Sequence, residues 1–381
     1  MVNFTAYNPT KVIFGKEVLK QLGHEAVKYG NRALVLIGQG SVKKNGILDL
    51  VMAQLESVGI VPTLFEGIRP NPIYQDCDKA VQVALEAQVD MIIAVGGGSV
   101  LDSAKAIAMG YHVNHSIWDF YIQKAGKPAS ALPILAVLTL AATGSEMNPY
   151  TVIQDTESGL KIGYGHPLLY PKVSFLDPTY TFSVSPIQTA YGVVDLISHC
   201  LECFFEPTPS PLSDAIAADI IKFAFEYGIK AVQEPENYEA RSQIMWLATV
   251  ALNGSLSAGK YGGDWGVHGL EHSLSVLFDI AHGGGLSIAY PAWLKYHEVE
   301  IKDKLNFLAE KVLGIKYAGK TFMTALESFY KAMGAPTRLS EANIGTEKHQ
   351  SIIDNWVLSK ASGGFYKLGV EDYRPLLALM A

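Results

Sequence analysis

Short apolar runs alternate with stretches of helical period through the first half of the chain. Ala33-Leu34-Val35-Leu36-Ile37 ends in Gly38-Gln39-Gly40-Ser41, and a periodic stretch over residues 47–58 follows. A second short run covers 61–65. Next come the loop Arg69-Pro70-Asn71-Pro72 and a stretch of helical period at 79–87. Met91-Ile92-Ile93-Ala94-Val95 has no polar alternation, which predicts a strand buried on both faces. Gly96-Gly97-Gly98-Ser99 ends it, a helix is predicted over 101–109, and 134–138 reads as a further strand. Strands alternating with helices imply βαβ units around a mostly parallel sheet, with ligands at the carboxyl ends of the strands.

After Asp177-Pro178 the pattern changes. Ser185-Pro186-Ile187-Gln188 is a helix start, with a Ser cap, Pro at the first helical position and Gln at the third. Ser210-Pro211 followed by Asp214 reads as a second such start. Helical period dominates from there on. The expected division is an α/β domain at 1–182 and a helical domain at 183–381, with no internal repeat.

Composition narrows the function classes. The 381 residues are 49% hydrophobic and 18% charged, enough for sizeable cores. A net charge of −7 argues against nucleic acid as the main partner, since phosphate binding needs a surplus of Lys and Arg. Three cysteines, Cys77, Cys200 and Cys203, are too few for a disulfide scaffold and suit a reducing compartment. The opening residues lack a signal-peptide layout and no apolar run is long enough to span a bilayer, so a cytoplasmic protein is expected.

Two patterns carry chemistry. Gly97, Gly98 and Ser99 sit between a buried strand and a helix start, where free backbone N–H groups and the positive end of the helix dipole accept a pyrophosphate. The plainer reading is a tight turn, but consecutive glycines cost conformational entropy and favour a ligand. Asp102 and Lys105 on the first turns read as surface charges or, for Asp102, an electrostatic cap. The dinucleotide fingerprint G-x-G-x-x-G is incomplete: Gly38-Gln39-Gly40 starts it, but Lys43 replaces the third glycine, and Glu66 as the matching ribose acid carries little weight. Gly38, Gln39, Gly40 and Ser41 still form a loop suited to the adenosine end. It holds no acid, and Lys43 and Lys44 follow, which favours NADP(H) over NAD(H) because an acid there would repel a 2′-phosphate. Thr139, Thr143 and Ser145 offer hydroxyls at another strand end, each a weak signal alone.

The second pattern is Asp195 and His199, four apart on one helix face, with His268 and with His282 before Gly283-Gly284-Gly285. One carboxylate and three imidazoles suit Fe²⁺ or Zn²⁺. A buried hydrogen-bonded His is commoner than a ligand. An inward Asp on the apolar stretch Val193-Val194-Asp195-Leu196-Ile197 is nonetheless costly to bury unpaired. Cys203 is an alternative ligand on the same face. Cys200-x-x-Cys203 alone suggests core packing, and His268-Gly269-Leu270-Glu271-His272 matches the inverted zinc-protease pattern H-x-x-E-H, a short match that arises by chance.

Taken together, the chain resembles the iron-containing (group III) alcohol dehydrogenases, in particular the butanol dehydrogenase and NADPH-dependent aldehyde reductase branch. Nearly the whole length carries the likeness, from Asn8-Pro9-Thr10-Lys11-Val12-Ile13-Phe14-Gly15 and Pro70-Asn71-Pro72 through Gly96 to Lys105 and Thr143-Gly144-Ser145-Glu146. It continues in Asp195-x-x-x-His199, His268-x-x-Glu271-His272-x-Leu274-Ser275 and His282-Gly283. The resemblance implies a Rossmann-like dinucleotide-binding α/β domain and an all-α domain, in the dehydroquinate synthase-like architecture. It implies a metal on Asp195, His199, His268 and His282, and a cofactor lined by Asn71, Gly97, Gly98, Ser99, Asp102, Thr139, Thr143 and Lys161. It also implies a proton-relay role for His272 and a homodimer. A departure is the Gly-rich, polar stretch Lys260-Tyr261-Gly262-Gly263-Asp264.

The expected function is metal-dependent hydride transfer between NADP(H) and small primary alcohols or aldehydes of butanol and butanal size. Glycerol dehydrogenase-like polyol oxidation and dehydroquinate synthase-like lyase chemistry are the alternatives on the same fold. A zinc peptidase would need no dinucleotide, and a non-catalytic nucleotide sensor would not need Asp195.

Overall fold

The apolar runs of the first half become parallel strands. In a computed structural model describing residues 1–381, β1 (Lys11–Phe14), β2 (Arg32–Ile37), β3 (Val61–Phe65), β4 (Met91–Gly96) and β5 (Ile134–Leu138) share one sheet with β8 (Val173–Leu176). β6 (Tyr150–Asp155) and β7 (Leu160–Gly165) pair separately. The order is β1-β8-β5-β4-β2-β3, and every pairing is parallel. All six residues of β4 are buried, as its unbroken apolar run predicts for a central strand. On one face Val35, Ile37, Ile93, Val95, Val137 and Phe175 pack with Leu22, Val51 and Leu55 in a single core. Leu34, Leu36, Ile92 and Ala94, which alternate with them, are buried as well, so both faces are covered.

The helices of this unit are α1 (Leu22–Ala26), α2 (Ser41–Lys44), α3 (Ile47–Glu56), α4 (Tyr74–Glu86), α5 (Gly98–Gly110) and α6 (Trp118–Tyr121). α4 begins five residues before the expected start at 79, because its polar first turn, Tyr74-Gln75-Asp76-Cys77-Asp78, shows little apolar period. The chain passes from β2 outward to β3, then crosses back to β4 and on to β5. The topological switch point therefore falls between β2 and β4, where open α/β sheets bind ligands. β1 and β8 are four-residue strands that the apolar pattern did not reveal.

The second unit is helical: α7 (Pro186–Phe205), α8 (Pro211–Gln233), α9 (Tyr238–Ala251), α10 (Gly266–Phe278), α11 (His282–Tyr296), α12 (Lys302–Leu313), α13 (Gly319–Ala332), α14 (His349–Ser359) and α15 (Val370–Met380). By contacts it comprises Met1–Tyr7, Glu157–Leu160 and Ser185–Ala381, and the sheet unit comprises Asn8–Thr156 and Lys161–Val184. The two short segments thus go with the helices, unlike the simple division expected from the pattern. Val2 N–H donates to Gly259 O at 3.0 Å, and Asn355 Nδ2 donates to Gly159 O at 2.9 Å. No helix is long and apolar enough to cross a membrane.

Both expected helix starts occur, but only one is capped as expected. Ser185 Oγ accepts from Gln188 N–H at 3.4 Å, whereas the Ser210 hydroxyl donates to Ala258 O at 2.8 Å and leaves α8 without a side-chain cap. The far end of α7 is held by two lysines. Lys260 Nζ donates to Cys203 O at 2.8 Å, and Lys304 Nζ donates to Phe204 O and to Glu206 O. Cations at a helix C-terminus satisfy orphan carbonyls and complement the dipole.

Candidate metal centre and dinucleotide loops

α7 presents Asp195 and His199 on one face, as the spacing of four requires. Asp195 is 2% exposed, and its Oδ1 is buried with no hydrogen-bond partner. Around that atom lie the Nε2 atoms of His199 at 3.4 Å, His282 at 3.7 Å and His268 at 3.9 Å. Ligand atoms in tetrahedral array about 2.1 Å from one ion would be about 3.4 Å apart. The observed spacing is that of a ligand shell, slightly open. Asp195, His268 and His282 form the tight set, their ligand atoms all within 4.8 Å of one another. His199 reaches Asp195 but lies outside that set, so it is the most loosely placed of the four.

Two further carboxylates orient the imidazoles. Glu202 Oε1 accepts from His268 Nδ1 at 2.7 Å, and Glu271 Oε2 pairs with His282 Nδ1. Each carboxylate fixes the ring so that Nε2 faces Asp195, the arrangement that outer-shell acids give metal-binding histidines. Burial lowers the His199 pKa to about 4 despite the nearby Asp195 charge, which keeps this ring neutral, the form a metal binds. For His268 burial acts in the same direction, but the Glu202 hydrogen bond and charge, with Asp195 and Glu271, outweigh it and raise the pKa. Glu202 was not singled out by sequence, and Glu271 entered only within the H-x-x-E-H match and the family motif, not as an orienting acid. The signal for Glu202 was there: like Asp195, it is an inward acid on the apolar α7.

The Gly-rich departure at 260–264 now has a role. Glu206 accepts from the N–H groups of Tyr261, Gly262 and Gly263 at 2.7–2.9 Å, and Glu202 from Trp265 N–H at 2.6 Å. Gly262 and Gly263 take φ of 113° and 109°, and Trp265 itself is left-handed at 62°, an uncommon state for a bulky residue. Glu202 on α7 and Glu206 directly after it thereby pin the start of α10, one turn before His268. The three glycines after His282 are explained by close packing. A Cβ on Gly283 would stand 2.2 Å from Tyr191 O, and one on Gly285 would meet Glu271 at 2.7 Å.

Other candidate donors fall away. Cys203 has its thiol beside Ser257 Oγ at 3.9 Å, and all three cysteines are free and buried, so the alternative ligand is not supported. Glu271 is fully buried and engaged by His282 and Ser275, which leaves it unable to activate water as a peptidase would require. His272 is half-buried, its ring centroid 5.9 Å from that of His282. With Glu271 and His282 it makes a second close group of ligand-type atoms.

In the sheet unit, the loops after β2, β4 and β5 are neighbours, because these strands are adjacent. Gly97 precedes α5 with no side-chain cap, which leaves the first N–H groups of the helix available to a ligand. Gly98 has no room for a Cβ: Thr143 Cγ2 would be 2.5 Å away. Thr143 Oγ1 accepts from Ser145 N–H, and Thr139 N–H donates to Gly96 O at 3.0 Å. Asn71 and Lys161 meet at 3.2 Å between Oδ1 and Nζ. Gly38, Gln39, Gly40 and Ser41 follow β2, and Gly40 is left-handed at φ 103°.

Asp102 and Lys105 are not the surface charges expected. Asp102 accepts from Ser145 Oγ at 2.6 Å and Val152 N–H at 2.8 Å. Lys105 is 0% exposed and donates to Ser145 Oγ, Asn148 Oδ1 and Tyr150 O at 2.6–3.1 Å. Together they anchor the loop that carries Thr143. Burial lowers the Lys105 pKa to about 8, although Asp102 and Glu146 oppose the shift. Below about pH 8 both folded and unfolded chains hold this proton, and the cost of burying the charge is fully felt. Between about 8 and the ordinary lysine value the unfolded chain binds more protons, so this residue makes stability rise with pH. Urea midpoints measured from pH 7 to 10 are expected to rise more steeply for the wild type than for Lys105→Met; parallel profiles would refute this.

The family follows from likeness at both ends of the chain. Residues 9–178 match the model for iron-containing alcohol dehydrogenase, and residues 189–368 match the C-terminal model of the same family. The chain belongs to the iron-containing alcohol dehydrogenase family. Among its relatives is the probable NADH-dependent butanol dehydrogenase 1 of Bacillus subtilis (strain 168), 39% identical over 99% of both chains. The NADPH-dependent aldehyde reductase YqhD of Escherichia coli (strain K12) is 38% identical, over 90% of this chain and 89% of that one. The crystal structure of NADH-dependent butanol dehydrogenase A from Thermotoga maritima superposes with a TM-score of 0.96 at 40% identity, covering 100% of this chain and 98% of that one. As an iron-type alcohol dehydrogenase the chain is an oxidoreductase, of a family that pairs a divalent metal with a nicotinamide cofactor.

Proposed function

We propose that this enzyme transfers a hydride between NADP(H) and small primary alcohols or aldehydes of butanol and butanal size. The observation that carries the reading is the buried, unpartnered Asp195 Oδ1 ringed by three imidazole Nε2 atoms at 3.4–3.9 Å. Asp195, His268 and His282, with His199 as fourth ligand, would hold Fe²⁺ or Zn²⁺. Such an ion supplies Lewis-acid polarisation of the substrate oxygen. The donor set fits: one hard oxygen and three imidazole nitrogens, with the His268 and His282 rings oriented by Glu202 and Glu271.

The chain's own groups do the rest. Gly97, Gly98 and Ser99 would bind the pyrophosphate at the α5 N-terminus, with Asn71, Asp102, Thr139, Thr143 and Lys161 placing the remainder of the dinucleotide. Half-buried His272 would carry the proton lost or gained by the substrate oxygen. The NADP(H) reading is supported by Gln39 and by the absence of an acid from the loop itself. Relatives named for either cofactor occur, so NADPH and NADH are both to be measured. Substrate size is supported by relatives named for butanol and for aldehydes. A homodimer, implied by family resemblance, is part of the same proposal and is read by light scattering.

The test is NADPH oxidation with butanal before and after chelator treatment, with metal content measured alongside. Turnover that falls with metal content and returns with Fe²⁺ or Zn²⁺ is expected, with NADPH binding retained throughout. Turnover indifferent to metal removal would overturn the proposal.

A further inference from the structure

The loop after β2 holds no acid, yet the fold supplies one from the next strand. β3 lies beside β2, and the chains stay joined beyond the ladder: Gly67 N–H donates to Gly38 O at 3.1 Å and Ile68 N–H to Ile37 O at 3.3 Å. Glu66, at the end of β3, is thereby held next to the loop of Gly38, Gln39, Gly40 and Ser41. There it forms an ion pair with Lys43 of α2. Both side chains are about half exposed, at 44% for Lys43 and 55% for Glu66, so they flank the loop at the surface. One of the two lysines that would favour a 2′-phosphate is therefore already neutralised.

We propose that the Glu66–Lys43 pair sets the choice between NADP(H) and NAD(H). Glu66 withholds Lys43 from a 2′-phosphate and so moderates the NADP(H) preference that the acid-free loop gives, while its carboxylate accepts a hydrogen bond from a ribose 2′-hydroxyl. This rests on the reading that the adenosine end of the dinucleotide lies at residues 38–41. The pair is a specificity device beside the site, since neither residue belongs to the pyrophosphate loop or the metal cluster. It makes the preference adjustable by one charge, which fits a family whose members bear the names of both cofactors.

Dissociation constants for NADPH and NADH, measured by calorimetry on the whole protein, test it without reliance on turnover. Glu66→Gln frees Lys43 for the 2′-phosphate and is expected to tighten NADPH about tenfold relative to NADH. Lys43→Met leaves the carboxylate unneutralised and is expected to move the ratio the opposite way. In the double variant the two effects are expected to offset each other, bringing the ratio back toward the wild-type value. Ratios that stay within about twofold of wild type in both single variants, while both dinucleotides bind, would overturn the proposal alone. Failure of both dinucleotides to bind the unsubstituted protein would overturn the placement at residues 38–41, and this inference with it.

Discussion

Asp195→Asn is expected to abolish metal binding and turnover while leaving dinucleotide affinity unchanged. The substitution keeps the shape of the side chain, so α7 has no steric reason to move. What changes is the charge at the point where three Nε2 atoms converge. A neutral amide offers a weaker oxygen donor and, in the wrong orientation, points an N–H donor into the shell. Changes in the residues behind metal ligands already lower affinity about 10–100-fold, and loss of the only anionic ligand is expected to exceed that. Metal content by elemental analysis and NADPH binding by calorimetry are the two readouts. An Asp195→Asn enzyme that keeps full metal occupancy and turnover would dismiss the centre.

The second large effect is expected from Gly283→Ala, a change that adds one methyl group and no charge. That methyl carbon would lie 2.2 Å from Tyr191 O and 2.7 Å from Tyr191 Cα and C, all backbone of α7. Backbone cannot rotate aside, so α11 must draw back from α7. Overpacking of this kind costs about 1–3 kcal/mol. The chemical consequence follows from position: Tyr191 is one turn before Asp195, and Gly283 is next to His282. Separating the helices widens the 3.7 Å gap between His282 Nε2 and Asp195 Oδ1. Gly283→Ala is expected to melt earlier and to bind metal more weakly than wild type. Normal metal affinity in a variant with a lowered melting temperature would show that close helix approach does not set the His282 position.

Much of this was legible along the chain because it is written locally. The continuous apolar runs at 33–37, 91–95 and 134–138 become inner strands of the parallel sheet, since a strand buried on both faces needs no alternation, and the short run at 61–65, broken by Thr63, becomes the half-buried edge strand β3. Asp195 and His199 share a face because four residues make about one helical turn. Elements that depend on distant partners were less visible. β8 has only Val173, Ser174, Phe175 and Leu176, too short to show a period, and it is a strand because β1 and β5 lie on either side of it. Lys105 read as a surface charge because its three acceptors lie 40–45 residues away.

The sequence alone therefore determined the longer strands and helices, the glycine turn at the strand end and the candidate donors proposed to hold the metal, all properties of short-range pattern and side-chain chemistry. Only tertiary structure decided how those donors are aimed. Glu202 orients His268 across 66 residues, Glu271 orients His282 from a different helix, and Gly283 sets how near that helix comes. It also placed Glu66 beside a loop that contains no acid of its own. The reason is physical: a hydrogen bond or ion pair depends on distances of a few ångströms, and separation along the chain says nothing of those until the strands and helices have packed.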